Sequence, residues 1–215
     1  MLVMENRFSK VWGKKDWQWV KTDHNCWLHM HKEGNGPNVI RDVARMLPKE
    51  KRNLVIQAGG NCGMFPVEYD RYFHRVVTFE PDPLNFKCLV ANIDSKNITP
   101  IQACLGAVSG EIVPMRNNGK NIGACHVSKA PPTFHAFTFT IDSLNLKPDV
   151  IHLDVEGYED LTLLGAEKTI QENHPLIVSE IKAENRFAVW EFLREFSYVE
   201  ICTLTNGDYV YEKKR

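Results

Sequence analysis

Leu54-Val-Ile-Gln-Ala-Gly-Gly-Asn-Cys-Gly63 is an apolar run that ends in a glycine-rich turn, and its reading decides the fold. Twelve residues beyond Gly63 a second apolar run begins, Arg75-Val-Val-Thr-Phe79, which stops at an acid, Glu80, followed by Pro81. A strand, a glycine turn and a second strand ending in a carboxylate form the layout of a doubly wound α/β fold that takes a ribose-containing ligand. Glycines let the backbone approach such a ligand and leave the next helix N-terminus free, while the carboxylate accepts hydrogen bonds from ribose hydroxyls.

Outward from this stretch the chain alternates strands and helices. Upstream, Val39, Ile40, Val43, Ala44 and Leu47 recur at helical spacing until Pro48 ends the pattern. Downstream, residues 65–73 read as a helix with Pro66 in its first turn, and Pro83 to Ile93 as another, with Leu84, Cys88 and Ala91 on one face. Ile98 to Ala103 is a third strand. Asp149-Val-Ile-His-Leu-Asp154 and Pro175-Leu-Ile-Val-Ser-Glu180 are two more apolar strands ending in acids. A single helix is expected from Tyr158 to Ile170 or beyond, and another from Phe187 to Phe196. The runs 198–204 and 208–211 flank Asn206-Gly207, a strong hairpin signal, so the sheet is expected to end in an antiparallel pair.

Residues 106–144 break the alternation. Ser109-Gly110 is a turn, Glu111 to Met115 a short strand, and Asn117 to Gly123 a loop rich in glycine and asparagine. Phe137, Phe139 and Ile141 alternate with Thr138 and Thr140, the period of a half-buried strand. We therefore expect an N-terminal flap over residues 1–37 and one domain over 38–215, with an irregular insert at about 109–140.

Lys and Arg total 26 against 27 Asp and Glu in 215 residues, a balance that does not steer the chain toward nucleic acid or an anionic membrane. The six cysteines form no C-x-x-C pair, so neither a zinc framework nor a disulfide scaffold is indicated. Charges at Glu5, Arg7 and Lys10 interrupt the place of a signal-peptide core, and no run reaches the roughly 20 apolar residues of a membrane span. The expectation is a soluble, cytoplasmic protein. The flap carries Trp12, Trp17, Trp19 and Trp27, and also Asp23, His24, His29 and His31, whose spacing matches no metal-ligand motif. These histidines read as a polar rim.

In doubly wound folds ligands bind beyond the carboxyl ends of the strands, where Glu80, Asp154 and Glu180 are expected to converge. The glycine loop alone leaves the ligand open. Ala58, Gly60 and Gly63 approximate a dinucleotide pattern, whereas Gly59, Asn61 and Gly63 approximate the loop of methyltransferases that use S-adenosylmethionine. The expected antiparallel C-terminal pair and the acid-ended strand at Asp154 favour the second.

The pattern as a whole resembles the FkbM family of S-adenosylmethionine-dependent methyltransferases over roughly residues 38–211. The resemblance is carried by Val55-Ile-Gln-Ala-Gly-Gly-Asn-Cys-Gly63, Phe79-Glu-Pro-Asp-Pro83, Thr140-Ile-Asp-Ser-Leu144, Asp149-Val-Ile-His-Leu-Asp-Val-Glu-Gly157 and Leu164-Gly-Ala166. It implies a class I methyltransferase fold, a Rossmann-like three-layer sandwich around a mostly parallel seven-stranded sheet with an antiparallel C-terminal hairpin. It further implies S-adenosylmethionine as donor and S-adenosylhomocysteine as product. Gln57, Gly59, Gly60, Asn61, Gly63, Glu80, Pro81 and Asp154 would bind the cofactor, with Glu80 on the ribose hydroxyls. The acceptor implied is an oxygen of a sugar or other small metabolite. One departure stands out: the first loop position, usually an acid, is Gln57, which keeps a carbonyl acceptor but loses its charge.

For proton removal from an acceptor hydroxyl the candidates are Asp154 and Glu156, then His126 in the insert; His152 lies earlier in a buried strand, below the site. A divalent cation on Asp154, Glu156 and Glu180 is a second, less favoured reading. A dinucleotide-dependent oxidoreductase and an inactive cofactor-binding module are the remaining alternatives.

Overall fold

The computed structural model describes residues 17–20, 37–117 and 121–214. Its strands and helices, in chain order, are α1 (Pro37–Met46), β1 (Leu54–Ala58), α2 (Met64–Tyr69), β2 (Arg75–Phe79), α3 (Pro83–Asn92), β3 (Ile98–Ile101), β4 (Cys104–Leu105), β5 (Ile112–Arg116), β6 (His126–Val127), β7 (Phe134–Phe139), β8 (Val150–Leu153), α4 (Glu159–Leu164), α5 (Glu167–Asn173), β9 (Leu176–Ser179), α6 (Arg186–Glu195), β10 (Tyr198–Thr203) and β11 (Tyr209–Lys213). Seven strands form the main sheet in the order β10-β11-β9-β8-β1-β2-β3.

All five residues of β1 are buried, as expected for an apolar run flanked on both sides by parallel neighbours, β2 and β8. The chain winds from β1 toward β2 and β3 on one side and continues through β8 and β9 on the other. The crevice where the winding reverses therefore opens at the carboxyl end of β1, beside the glycine turn. Beyond β9 the hairpin folds back, so that β11 inserts between β9 and β10 and runs antiparallel to both.

Strand alternation divides the core into two layers. Ile56, Ala58, Ile151, Leu153 and Ile177 face one way and pack with Leu163, Ile170, Val189 and Leu193 of α4, α5 and α6. Val55, Val76, Val150 and Val178 face the other way, against Val39, Ile40 and Val43 of α1 and Tyr69 of α2. The result is the expected three-layer sandwich. From the N-terminal segment, Trp17 and Trp19 are buried against Cys62, Met64 and Cys88. Trp12, Trp27, Asp23 and His24, His29 and His31 lie outside the described residues.

Two sequence expectations are corrected. The helix expected from Tyr158 through Ile170 is broken into α4 and α5 at Gly165. A Cβ there would stand 2.0 Å from the backbone oxygen of Gly106, so a close backbone crossing occupies the place of a side chain. The break leaves the first N–H groups of α5 without helical partners, and Asp142 supplies them from outside. Its carboxylate accepts from the N–H groups of Lys168 at 3.0 Å and Thr169 at 2.8 Å.

The second correction concerns β7. It has the expected period of two, but Ala136 and Thr138 face inward while Phe137 and Phe139 are 59% and 39% exposed, and Ile141 lies beyond the strand. The inward hydroxyl explains the choice of face. Thr138 Oγ1 donates to Val108 O at 2.6 Å and accepts the N–H of Glu111 at 3.2 Å, tying down the turn before β5. The described residues of the insert are correspondingly more regular than expected, with β5 and β7 antiparallel inside a second sheet of order β4-β7-β5-β6.

Candidate active site

A cavity with about 470 Å³ of space, part of it open to solvent, sits at the carboxyl end of β1. Its walls come from the glycine turn (Ala58, Gly59), the end of β2 (Phe79, Glu80, Pro81), the tip of β8 with the following turn (Asp154, Val155, Tyr158), the second sheet (Cys104, Leu105, Met115, Val127) and the turn before β6 (Gly123, Cys125). Two glycines keep the first wall thin. A Cβ on Gly59 would lie 2.0 Å from Asp154 O, and one on Gly60 would lie 2.8 Å from Thr78 Oγ1.

Glu80 joins β2 to the turn. Its Oε2 accepts the backbone N–H of Asn61 at 2.7 Å and its Oε1 accepts that of Asp82 at 2.8 Å. Burial pushes the carboxyl up to about 8, against the pull of these N–H groups. Each oxygen retains a further lone pair, so the group can still accept from a ligand. Asn61 reaches φ 45 in this turn, and its side chain accepts the N–H of Cys62 at 2.7 Å.

Gln57, the departure from the acid of the family pattern, is fully buried and faces protein. Its Nε2 donates to Ala58 O at 3.0 Å and Gly59 O at 2.9 Å, while its Oε1 accepts from the Thr78 hydroxyl. An acid has no donors for those carbonyls. In this chain the position braces the turn from beneath, an arrangement that a glutamine suits and a carboxylate does not.

The strand tips bring Asp154 and Glu180 together as the sequence suggested. Burial, then a hydrogen bond with Glu180 and the neighbouring negative charges, raises the Asp154 carboxyl well above the usual range. Glu156 joins them, one carboxylate oxygen from each of the three lying within 4.8 Å of the others. Lys182 brings a cation to Glu156, its Nζ 2.6 Å from Glu156 Oε2.

The two histidines part company with the cavity. Cys125 and Val127 line it, whereas His126 between them turns its Nδ1 to Ala124 O at 3.2 Å. His152 is fully buried below the site, as its place in β8 implied. Its Nδ1 pairs with Tyr69 Oη at 2.8 Å, its Nε2 with Asp208 Oδ2 at 3.0 Å, and its ring stacks on Phe65.

Several contributors had no signal strong enough to be singled out. Asp82 caps α3 through the N–H groups of Leu84 and Asn85, and its other oxygen accepts from Asn117 Nδ2 at 2.8 Å, tying the insert to the end of β2. The Asp-Pro pair opening a helix pointed to the cap, but nothing in the sequence pointed to Asn117. Tyr158 packs over Gly106 and lines the cavity. Cys104 and Cys125 give the wall a sulfur lining with Met115; burial pushes the Cys104 thiol up to about 12 and raises Cys125 as well, so both are neutral apolar surface.

This fold is that of class I methyltransferases. A methyltransferase FkbM from Methylobacillus flagellatus KT superposes with a TM-score of 0.55 at 18% identity, covering 75% of this chain and 44% of that one. The chain thus spans under half the length of that protein. A ribosomal protein L11 methylase from Lactobacillus delbrueckii subsp. bulgaricus gives 0.55 at 10% identity, with 85% and 81% covered. A putative RNA methyltransferase from Pyrococcus horikoshii gives 0.52 at 14%, with 86% and 87% covered. No curated protein matches the sequence significantly. The model of the methyltransferase FkbM domain matches residues 58–211, and the chain belongs to that family. Among the described residues no helix is long and apolar enough to cross a membrane.

Proposed function

We propose that the protein transfers a methyl group from S-adenosylmethionine to a hydroxyl oxygen of a small polar metabolite, a saccharide being the leading class. The observation that carries the donor is the buried Glu80 carboxylate at the rim of a turn where a Cβ on Gly59 or Gly60 would collide with the neighbouring chain. A ribose diol fits that carboxylate, and the backbone of Gly59 fits the close approach of a nucleoside. Apolar Leu105, Met115 and Val127 suit a flat heterocycle. When bound, the cofactor supplies a methyl group on a sulfonium.

The chain's own residues supply placement and proton handling. Glu80 fixes the sugar of the donor, and the second sheet excludes water from the heterocycle. Asp154, Glu156 and Glu180 form the polar end, where an acceptor hydroxyl is oriented and loses its proton. Cytoplasmic residence accords with this reading, since donor and acceptor are both soluble metabolites.

The test is calorimetry and thermal shift with S-adenosylhomocysteine and, in parallel, NAD(H). A saturating ligand should stabilise the fold by about RT ln(1 + [L]/Kd), roughly 2.7 kcal/mol at a hundredfold excess over Kd. Stabilisation by S-adenosylhomocysteine alone supports the proposal, and stabilisation by NAD(H) alone overturns it. Glu80→Ala should abolish the response.

A further inference from the structure

Gln57 braces the glycine turn from beneath, and the outer side of the turn, at Cys62, is held from elsewhere. Cys62 stands between Asn61 at φ 45 and Gly63 at φ 98, left-handed conformations that a non-glycine residue such as Asn61 rarely adopts. Helix α3 lies along this side. A Cβ on Gly63 would be 3.1 Å from Leu89 Cδ1, so the helix packs directly on the turn. Asn92, the last residue of α3, is 1% exposed and donates from Nδ2 to Cys62 O at 2.7 Å. The same Nδ2 donates to Gln18 O at 2.7 Å, and Asn92 Oδ1 accepts the N–H of Gln18 at 2.8 Å. One buried amide thus joins the turn to the N-terminal segment.

The apolar side chains of the segment converge on the same residue. Trp17, Trp19 and Val20 are buried and pack with Cys62, Met64 and Cys88. From Cys62 the contacts run on to the donor carboxylate: the N–H of Cys62 donates to Asn61 Oδ1 at 2.7 Å, and the N–H of Asn61 donates to Glu80 Oε2 at 2.7 Å. We propose that Asn92 is a positioning residue that makes residues 17–20 a clasp on the donor turn, so that docking of the N-terminal segment and binding of the donor strengthen each other. The inference rests on the methyl-transfer reading and deepens it, because it assigns the N-terminal segment to the donor half of the site.

Asparagine suits this place because its side chain carries two N–H groups for the two carbonyls and an oxygen for the N–H of Gln18. The contacts to the segment are made to the backbone of Gln18, so they fix where the chain lies rather than which side chain it presents. Asn92 does not line the cavity, and its influence on the donor passes through the turn. If the docked segment and the bound donor favour the same turn conformation, each must raise the affinity of the other by the same factor. Residues 17–20 lie outside the seven-stranded sheet, so loosening them leaves the sheet's own pairing intact.

The experiment is amide hydrogen exchange by NMR on the full nitrogen-15-labelled chain, with S-adenosylhomocysteine affinity measured by calorimetry on the same samples. Asn92→Leu keeps the side-chain size and removes the bonds to Gln18 and Cys62, whereas Gln18→Pro removes only the N–H of the segment and leaves the bond to Cys62 in place. Tyr198→Phe, which takes a buried hydroxyl from Pro175 O at the far edge of the sheet, is the control for a general loss of stability. In the free protein the N–H groups of Asn61 and Cys62 should exchange about tenfold faster in Asn92→Leu and about threefold faster in Gln18→Pro, with matching losses of S-adenosylhomocysteine affinity. In the wild type, bound S-adenosylhomocysteine should slow exchange at the Gln18 N–H. If Asn92→Leu does not fold, Gln18→Pro decides. Unchanged exchange at Asn61 and Cys62, unchanged affinity, or the same changes in Tyr198→Phe each overturn the clasp. A wild-type chain that binds no S-adenosylhomocysteine overturns the methyl-transfer reading and with it the link to the donor, while exchange at Asn61 and Cys62 in the free protein still decides whether residues 17–20 hold the turn.

Discussion

The side-chain amide of Gln57 donates to Gly59 O at 2.9 Å, so the last residues of β1 hold the glycine turn from below. Replacing this amide with a carboxylate of the same length removes both donors and places a negative charge against two carbonyl oxygens in a fully buried position. Gln57→Glu should destabilise the protein by about 3–5 kcal/mol, the cost typical of an uncompensated buried charge. Urea unfolding measures it. A variant as stable as the wild type would show that the brace is not needed.

Glu80 and Asp154 make stability depend on pH with a definite sign. The Glu80 carboxyl, ordinarily near 4.5, is raised to about 8 in the fold, so between these values the native state binds more protons than the unfolded chain. Its contribution is complete below about 4.5 and is lost as pH rises through about 8. Asp154 acts in the same direction. Unfolding free energy should therefore fall from pH 5 to 8, at up to about 1.4 kcal/mol per pH unit for each such proton, and the slope should be shallower in Glu80→Gln. Ribose hydroxyls favour the charged carboxylate, so S-adenosylhomocysteine should bind more tightly at pH 8.5 than at pH 6.5. Calorimetry at the two values checks this.

The buried chain Tyr69, His152 and Asp208 joins α2, the centre of the sheet and the C-terminal hairpin through contacts of 2.8 and 3.0 Å. Asp208→Ala leaves an imidazole nitrogen buried without its partner, at a cost of about 1–3 kcal/mol. Because His152 lies below the cavity and does not line it, the same variant should bind S-adenosylhomocysteine with wild-type affinity when folded. A loss of binding in folded Asp208→Ala would place the network in the site.

At the break between α4 and α5, Gly165→Ala forces a methyl group toward the Gly106 carbonyl, and a cost near 3 kcal/mol, the upper range for overpacking, is expected. Asp142→Ala removes the external cap of α5 and should cost about 1–2 kcal/mol. The two losses, measured by chemical denaturation, should not add fully, since both act on one junction.

Most of the sheet was legible because its strands are continuous apolar runs with acids at their ends, a pattern carried by neighbouring residues. The hairpin at Asn206-Gly207 was legible for the same local reason, although its insertion beside β9 was not. Three of the misread features turn on contacts between distant parts of the chain. Gly165 looked like a tolerated helix glycine until Gly106 was beside it. Phe137 and Phe139 have the spacing of inward residues, yet Thr138 takes the inner face because Val108 O and the Glu111 N–H need its hydroxyl. His126 belonged to a pocket loop in the sequence reading, but its neighbours Cys125 and Val127 line the cavity while its Nδ1 turns to Ala124 O.

The amino-acid sequence by itself determined the order of the elements, the glycine turn after β1, and the delivery of Glu80, Asp154 and Glu180 to strand ends, because periodicity and turn chemistry act over a few residues. Only the tertiary structure decided what those groups face. Gln57 is committed to two carbonyls, Asp154 to Glu180 and Glu156 to Lys182, since hydrogen-bond and charge partners are chosen across the sheet, where distance along the chain no longer predicts distance in space.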